Sequence, residues 1–284
     1  MKKQMQQTAP LITIIVSNLN GSKTLQQCVD SVANQTYKNA ELIVIDGGSS
    51  DGSVDLLKQN ANKISYWVSE KDNGIYSAWN KGLQYATGEW ICFLGADDFL
   101  WDDRSLEVMS KTLISISSDC YVAYGQVMLL TKDSQPIYQI GKPWPKVKNQ
   151  FTKFMSIPHP GLMHRNLLFK KNGNFDESFS IAGDYELLLR ELKISDAAYI
   201  PKLMVGVRQG GVSCNLSHSF ALLHEVRRAQ IKNGFYLPSA SWILSCVHLI
   251  IRKAVWYWFG ENSARKILDF GRSLMGLPKY WTRT

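Results

Sequence analysis

Residues 11–17, LITIIVS, form a near-continuous apolar run rich in β-branched side chains, and the run stops at the polar turn Asn18-Leu19-Asn20-Gly21. A short apolar run bounded by turn residues predicts a buried strand followed by a loop. The period then changes: Leu25, Cys28, Val29 and Val32 fall on one helical face, predicting a helix that ends near Gln35-Thr36. Glu41–Ile45 reads as a second strand entering the loop Asp46-Gly47-Gly48-Ser49-Ser50-Asp51-Gly52-Ser53. A helix over about 53–61, a third strand near Ile64–Ser69, a helix over about Ser77–Ala86 and a fourth strand, Trp90–Leu94, continue the alternation. Strands and helices alternating at this spacing predict βαβ units, an α/β fold with a Rossmann-like, mostly parallel sheet flanked by helices. The polar loops at 17–21, 46–53, 70–76 and 95–98 each follow a strand, so they share one edge of the sheet. Ligands bind at that edge in such sheets.

Beyond Asp98 the periodicity loosens. Residues 121–130 and 136–140 read as strands joined by a turn, and Lys142–Gln150 as an irregular link rich in Pro and Lys. Over 178–192 a helix starting near Ser180 carries Leu187, Leu188, Leu189 and Leu192, and 199–207 gives one more strand. The rest is mostly helical. Between Ser241 and Phe259 the polar set Ser241, Ser245, His248, Arg252 and Trp256 opposes an apolar set, Ile243, Val247, Ile250, Ala254 and Trp258, the signature of an amphipathic helix. The chain therefore divides into a domain over 1–215, with one half at about 10–100 and a second at about 101–215, and a helical region over 216–284.

Charge follows the same division. The 284 residues carry a net +8, yet residues 202–284 alone hold 12 basic and 3 acidic side chains, with four of the nine Trp. A near-neutral body with a cationic, aromatic tail disfavours a nucleic-acid binder. It suits an anionic membrane surface, the alternative being that the apolar face packs on the 1–215 domain or on a second subunit of a homo-oligomer. The five Cys are scattered with no CxxC pair, which fits a reducing cytosol. MKKQMQQTAP lacks the apolar core of a signal peptide, and a spanning helix within 234–251 is disfavoured by Pro238, three Ser and His248.

Asp97 and Asp98 end an apolar strand. Two adjacent carboxylates resist joint ionisation unless a cation neutralises them, so they read as ligands of a divalent ion or as caps of the following turn. Asp46 closes another strand on the same edge before a Gly/Ser loop that lacks the G-x-G-x-x-G pattern and a P-loop lysine, so base or ribose recognition suits it better than phosphate binding. Asp51 reads as a helix cap.

LITIIVSNLN, ELIVIDGGSSDGS, SEKDNGIYSAWNKGLQYATGEWICFLGADD and HPGLMHRNLLFKKNGNFDESFSIAGDYELLLREL stand in this order over about residues 10–215. In order and spacing they resemble the family 2 glycosyltransferases of GT-A fold, within them the bacterial branch that builds O-antigen and other surface polysaccharides. The resemblance implies inverting transfer of one sugar from a nucleotide-diphosphate sugar, UDP first with dTDP and GDP open, assisted by Mn²⁺ or Mg²⁺. It implies that Ser17, Asn20 and Asp46 line the nucleotide pocket and that Asp72 and Gly74 approach the donor with Asn80 and Lys81 behind them. It further implies that Asp98 ligates the metal, that Asp97 contacts ribose or metal, and that Asp184 is the base, with Glu186 the second candidate. Arg208 with Gly210-Gly211-Val212-Ser213 resembles a lid over the donor. His159 reads as turn packing, and His164 with Arg165 as a phosphate contact. The sequence departs from the family where Gly47, Gly95 and Gly183 stand in place of frequent acids, implying weaker metal dependence. The acceptor implied is a polyprenyl-diphosphate-linked sugar, which places the enzyme at the cytoplasmic face of the bacterial inner membrane. A non-catalytic nucleotide-sugar-binding scaffold and a processive synthase subunit are the rival readings.

Overall fold

A computed structural model of the chain describes residues 9–210, 219–274 and 276–283. The first eight residues, the expected boundary at 215 and the 211–213 part of the expected lid lie outside them. The first half runs β1 (Ile12–Asn18), α1 (Ser22–Ala33), β2 (Ala40–Asp46), α2 (Ser53–Gln59), β3 (Tyr66–Ser69), α3 (Ile75–Leu83) and β4 (Trp90–Gly95). It continues through β5 (Asp98–Leu100), α4 (Ser105–Ser115), β6 (Val122–Leu130), β7 (Pro136–Ile140), α5 (Trp144–Phe151), β8 (Met163–Arg165) and α6 (Asn166–Asn172). The last elements are α7 (Gly183–Leu192), β9 (Ala198–Arg208), α8 (Ser219–Lys232) and α9 (Ala240–Leu274), the last interrupted at Gly260, whose φ is 69°.

Among the described residues nine strands form one sheet in the order β3-β2-β1-β4-β8-β6-β9-β5, with β7 on β6. β1 through β4 are parallel to one another, β6 parallels β9, and β8, β5 and β7 run against their neighbours. The chain moves outward from β1 to β3 and then returns to the other flank of β1 as β4, so the ligand crevice falls where strand order reverses.

Both faces are buried, which is why the early strands are continuous apolar runs rather than alternating ones. Ile15, Ile43, Ile45 and Phe93 point to one face, covered by Trp79 of α3, Phe151 of α5 and Leu187 and Leu188 of α7. Ile14, Val16, Val44, Cys92 and Leu94 point to the other, covered by Leu25, Val29 and Val32 of α1, Leu57 of α2 and Met109 of α4. Each such side chain, fully buried, contributes about 1.5–3 kcal/mol.

Two expectations change. Lys142–Gln150 is not an irregular link: Trp144–Phe151 is helical, with Pro145 in the first turn, where its missing N–H costs nothing, and Trp144, Val147 and Phe151 buried. The helix expected from Ser180 begins at Gly183, because residues 180–182 give their backbone N–H groups to a carboxylate on α8 instead of starting a helical turn. The pattern beyond Asp98, which looked loose, contains β5, α4, β8 and α6.

α9 packs on α8 through Trp242 Nε1, which donates to the Leu223 carbonyl, and Arg252, which donates to Ser219 Oγ. Arg252 and Arg265 turn inward toward the rings of Trp281 and Trp256. The apolar side of α9 faces outward: Ile243, Val247, Ile250, Ile251 and Trp258 are 45–76% exposed. No helix among the described residues is long and apolar enough to cross a membrane.

Candidate active site

In-register pairing of β1 and β2 sets Asn18 beside Asp46 at the carboxyl ends of the strands. Asp46 is fully buried, and its carboxylate accepts from Asn18 Nδ2 at 2.5 Å, Ser49 N at 2.9 Å and Ser69 Oγ at 2.6 Å. Burial opposes its ionisation, but the hydrogen bonds from Ser49, Ser69 and Asn18 outweigh burial and hold the carboxyl below its usual range. The neighbouring loops are laced together: Asn20 N donates to Ser49 Oγ at 2.7 Å, Ser50 N to Asn20 Oδ1 at 3.0 Å and Ser22 N to Asp51 Oδ2 at 2.9 Å. Asn20 sits at φ 52°, a conformation Asn tolerates. Ser17 is half-buried one position before the strand end, its carbonyl taking the Ala96 N–H at 3.0 Å. Asp72 arrives from the β3–α3 loop, caps the Gly74 N–H at 2.9 Å and lies so close to β2 that a Cβ on Gly47 would stand 2.8 Å from its Oδ2.

β4 delivers the acidic pair. Asp98 is buried and accepts from the Gly95 N–H at 3.0 Å. Burial and the neighbouring Asp97 push its carboxyl well up, and burial raises Asp97 too. Arg208 compensates from below. It is buried at the end of β9, donates to the Asp97 carbonyl at 2.7 Å, to Ser134 Oγ at 3.0 Å and to Gln27 Oε1, and lies 5.0 Å from the Phe99 ring centroid. Its guanidinium is thus part of the floor under the acidic turn rather than an arm in a lid.

Asp184 is the second residue of α7 and half-buried. Burial pushes its carboxyl up to about 6, against the pull of hydrogen bonds from the Tyr185 N–H at 2.8 Å and the Tyr76 hydroxyl at 3.3 Å, while Glu225 nearby raises it further. Tyr76 opens α3, directly after the Asp72 loop, so Asp184 stands on the same sheet edge as the Asp46 pocket. Glu186, two residues on, is fully buried and turned away, held by Arg190 and by Lys232 at 3.2 Å.

Two further sequence candidates are engaged by neighbouring residues. Asn80 holds the following loop, donating to the Phe175 carbonyl at 2.9 Å and Glu177 Oε1 at 2.8 Å and accepting from Phe175 N at 3.0 Å. Lys81 pairs with Glu70 at 2.6 Å. The phosphate role expected of His164 and Arg165 is overturned: β8 runs antiparallel to β4 and sets them against Ile91 and Trp90, at the far end of the strand from Asp97. His164 is fully buried among Phe93, Phe169 and His159. His159 packs on Trp79 in the same aromatic cluster.

Three residues escaped the sequence reading. Asn18 could have been found as the polar residue ending the β1 run. Tyr76 meets Asp184 across 108 residues, and Glu225 meets the Ser180 turn across 45, with no local signal for either pairing.

The sequence profile described as "Glycosyl transferase family 2" matches residues 13–166. A curated uncharacterized glycosyltransferase of Rickettsia typhi is 29% identical over 207 residues, covering 70% of this chain and 64% of its own length. The chain thus spans just under two thirds of that relative. The Staphylococcus aureus TarS fragment 1–349, solved with UDP-GlcNAc, superposes with TM-score 0.63 at 18% identity over 84% of this chain and 71% of that one. The mannosyltransferase PcManGT of Pyrobaculum calidifontis, solved with GDP-Man and Mn²⁺, gives 0.57 at 16% identity over 93% and 80%. At such identities the likeness is one of fold.

Proposed function

The chain belongs to glycosyl transferase family 2 and is a transferase, and from that premise we propose that it moves one sugar from a nucleotide-diphosphate sugar to a hydroxyl acceptor with inversion at the anomeric carbon. The observation that carries this reading is Asp184: a carboxylate poised at about 6 by burial, on the sheet edge that holds the Asp46 pocket and the acidic pair. An acceptor hydroxyl is a weak nucleophile near neutral pH. Asp184 takes its proton as oxygen attacks the anomeric carbon from the face opposite the leaving diphosphate, and a base poised near 6 is ionised at neutral pH yet still proton-seeking. The charge on the departing nucleotide calls for a cation.

Asp97 and Asp98 fit one. Their mutual repulsion inside a buried turn is the condition a divalent ion relieves, and carboxylate oxygens are hard ligands. Asp97 and Asp98 would hold Mn²⁺ or Mg²⁺, which would supply Lewis-acid stabilisation of the leaving group. Asp46, with Asn18 and Ser49 around it, recognises the base or ribose. A UDP donor agrees with the UDP-GlcNAc bound by the TarS fold, and GDP with the GDP-Man bound by PcManGT.

The outward apolar side of α9, flanked by Lys253 and Lys266, supports docking on an anionic bilayer at the cytoplasmic face, where a lipid-linked sugar acceptor of surface-polysaccharide synthesis would be presented. The test is a thermal-shift series with UDP-GlcNAc and GDP-mannose plus Mn²⁺. A true donor at a hundredfold excess over Kd adds about 2.7 kcal/mol of stability. Asp184→Asn should keep that shift and lose transfer; a variant that still transfers sugar overturns the base assignment.

A further inference from the structure

Asp184 owes its place to two side chains that touch nothing else in the cleft chemistry, one from each flank. On the α3 side, the ring of buried Tyr76 lies against Gly183, where an added Cβ would stand 2.8 Å from Tyr76 Cε2, and the hydroxyl reaches Asp184 Oδ1 at 3.3 Å. On the α8 side, the Glu225 carboxylate accepts three consecutive backbone N–H groups, from Ser180 at 2.9 Å and from Ile181 and Ala182 at 2.8 Å. These are the residues immediately before α7, where N–H groups have no helical acceptor and an anion is favoured.

We infer that Tyr76 and Glu225 are positioning residues for Asp184, Tyr76 by fixing one carboxylate oxygen and Glu225 by fixing the turn that carries the residue. The inference rests on the reading of Asp184 as the base. Gly183 is the enabling position: any larger residue there pushes the Tyr76 ring off α7 and lengthens the hydroxyl contact. The phenol stays a donor, since burial and Asp184 hold its own ionisation well above the usual range. The other charged groups at this corner are engaged elsewhere. Arg228 of α8 lies over Phe179 and donates to Ser178, and Lys232 binds Asp176 and Glu186. Glu186 holds Arg190, Lys171 of α6 pairs with Glu191, and Glu177 is taken by Asn80. The Tyr76 hydroxyl stabilises the carboxylate form of Asp184, whereas the Glu225 charge disfavours it, so removing each acts in opposite directions.

The test is a carboxyl titration of the chain labelled with ¹³C-aspartate, followed by NMR, with the Asp184 resonance identified by its loss in Asp184→Asn. Tyr76→Phe should raise the midpoint by about 0.5–1 pH unit, and Glu225→Gln should lower it by about 0.5 unit. A Tyr76→Phe midpoint that stays or falls overturns the inference, as does a Glu225→Gln midpoint that stays or rises. If Tyr76→Phe does not fold, Gly183→Ala replaces it with the same expected sign. If Glu225→Gln does not fold, amide exchange in the unaltered chain replaces it: slow exchange at Ser180, Ile181 and Ala182 supports the clamp, and exchange at the rate of an open loop overturns it. The midpoints read Asp184 whether or not it is the base. A failed base assignment appears separately, as transfer surviving in Asp184→Asn.

Discussion

Gly47, Gly95 and Gly183 stand at three corners of the cleft, and at each corner a neighbour occupies the space a side chain would need. Asp72 crowds Gly47, Asp97 crowds Gly95 with its Oδ1 2.5 Å from a would-be Cβ, and Tyr76 crowds Gly183. Gly183→Ala, set against the buried Tyr76 ring, should therefore cost about 1–3 kcal/mol by overpacking, read as a lower urea midpoint at unchanged m. Asp184 gives the opposite sign. Its folded carboxyl is raised from 3.8 to about 6, so the native state binds a proton more tightly than the unfolded chain, and the ionised group costs stability at neutral pH. Asp184→Asn should stabilise the chain by up to about 3 kcal/mol above pH 6. The gain should shrink as pH falls through 6 and vanish below about pH 3, where the carboxyl is protonated in the folded and the unfolded chain alike. Losing activity while gaining stability is the mark of a side chain held for chemistry rather than for packing.

At the scale of elements, the first four strands and three helices were legible because each carries its own period and ends in its own turn chemistry. α5 was missed for a local reason. Pro143 and Pro145 suggest a link, yet Pro145 stands where a helix tolerates it, and Trp144, Val147 and Phe151 already held helical spacing. β5, β8 and α6 were hidden by brevity, two of them being three-residue strands whose pairing is entirely non-local, whereas α4 runs 11 residues and buries Leu106, Met109 and Leu113 at helical spacing. In α9 the amphipathic pattern was legible but the direction of its apolar side was not, since that depends on Arg252 and Trp242 docking against α8. Ile250 and Trp258 are 58% and 76% exposed, so Ile250→Glu with Trp258→Glu should leave the fold intact. Sedimentation with phosphatidylglycerol-containing vesicles should fall tenfold or more, and binding by the unaltered chain should weaken with added salt without disappearing.

Across the whole molecule, the sheet edge was readable from loop order alone, while the contacts that finish the site join distant segments: Arg208 to Asp97, Asp184 to Tyr76, Glu225 to Ser180. Such pairings have no signature in a single sequence because neither partner needs a special neighbour. The buried His pair has a global effect of another kind. Burial pushes His159 down to about 3 and His164 well below the usual range, so both are neutral in the native state. Their contribution is complete above about pH 6.5 and declines as the unfolded chain takes up protons the native state refuses. Relative to wild type, His164→Phe should gain about 1.4 kcal/mol for each pH unit below 6.5, measured by urea unfolding down to pH 5.

The Glu225 clamp also bears on how the protein is made. Residues 180–184 leave the ribosome about 40 residues before Glu225, and domains are built from the N-terminal end as synthesis proceeds. During that interval the nucleotide-side strands can pair, but the turn before α7 has no acceptor for its three N–H groups. The turn that carries Asp184 is set only when α8 docks. On the proposed reading of Asp184 as the base, a growing chain that already held donor sugar would lack a fixed group with which to spend it until α8 is in place.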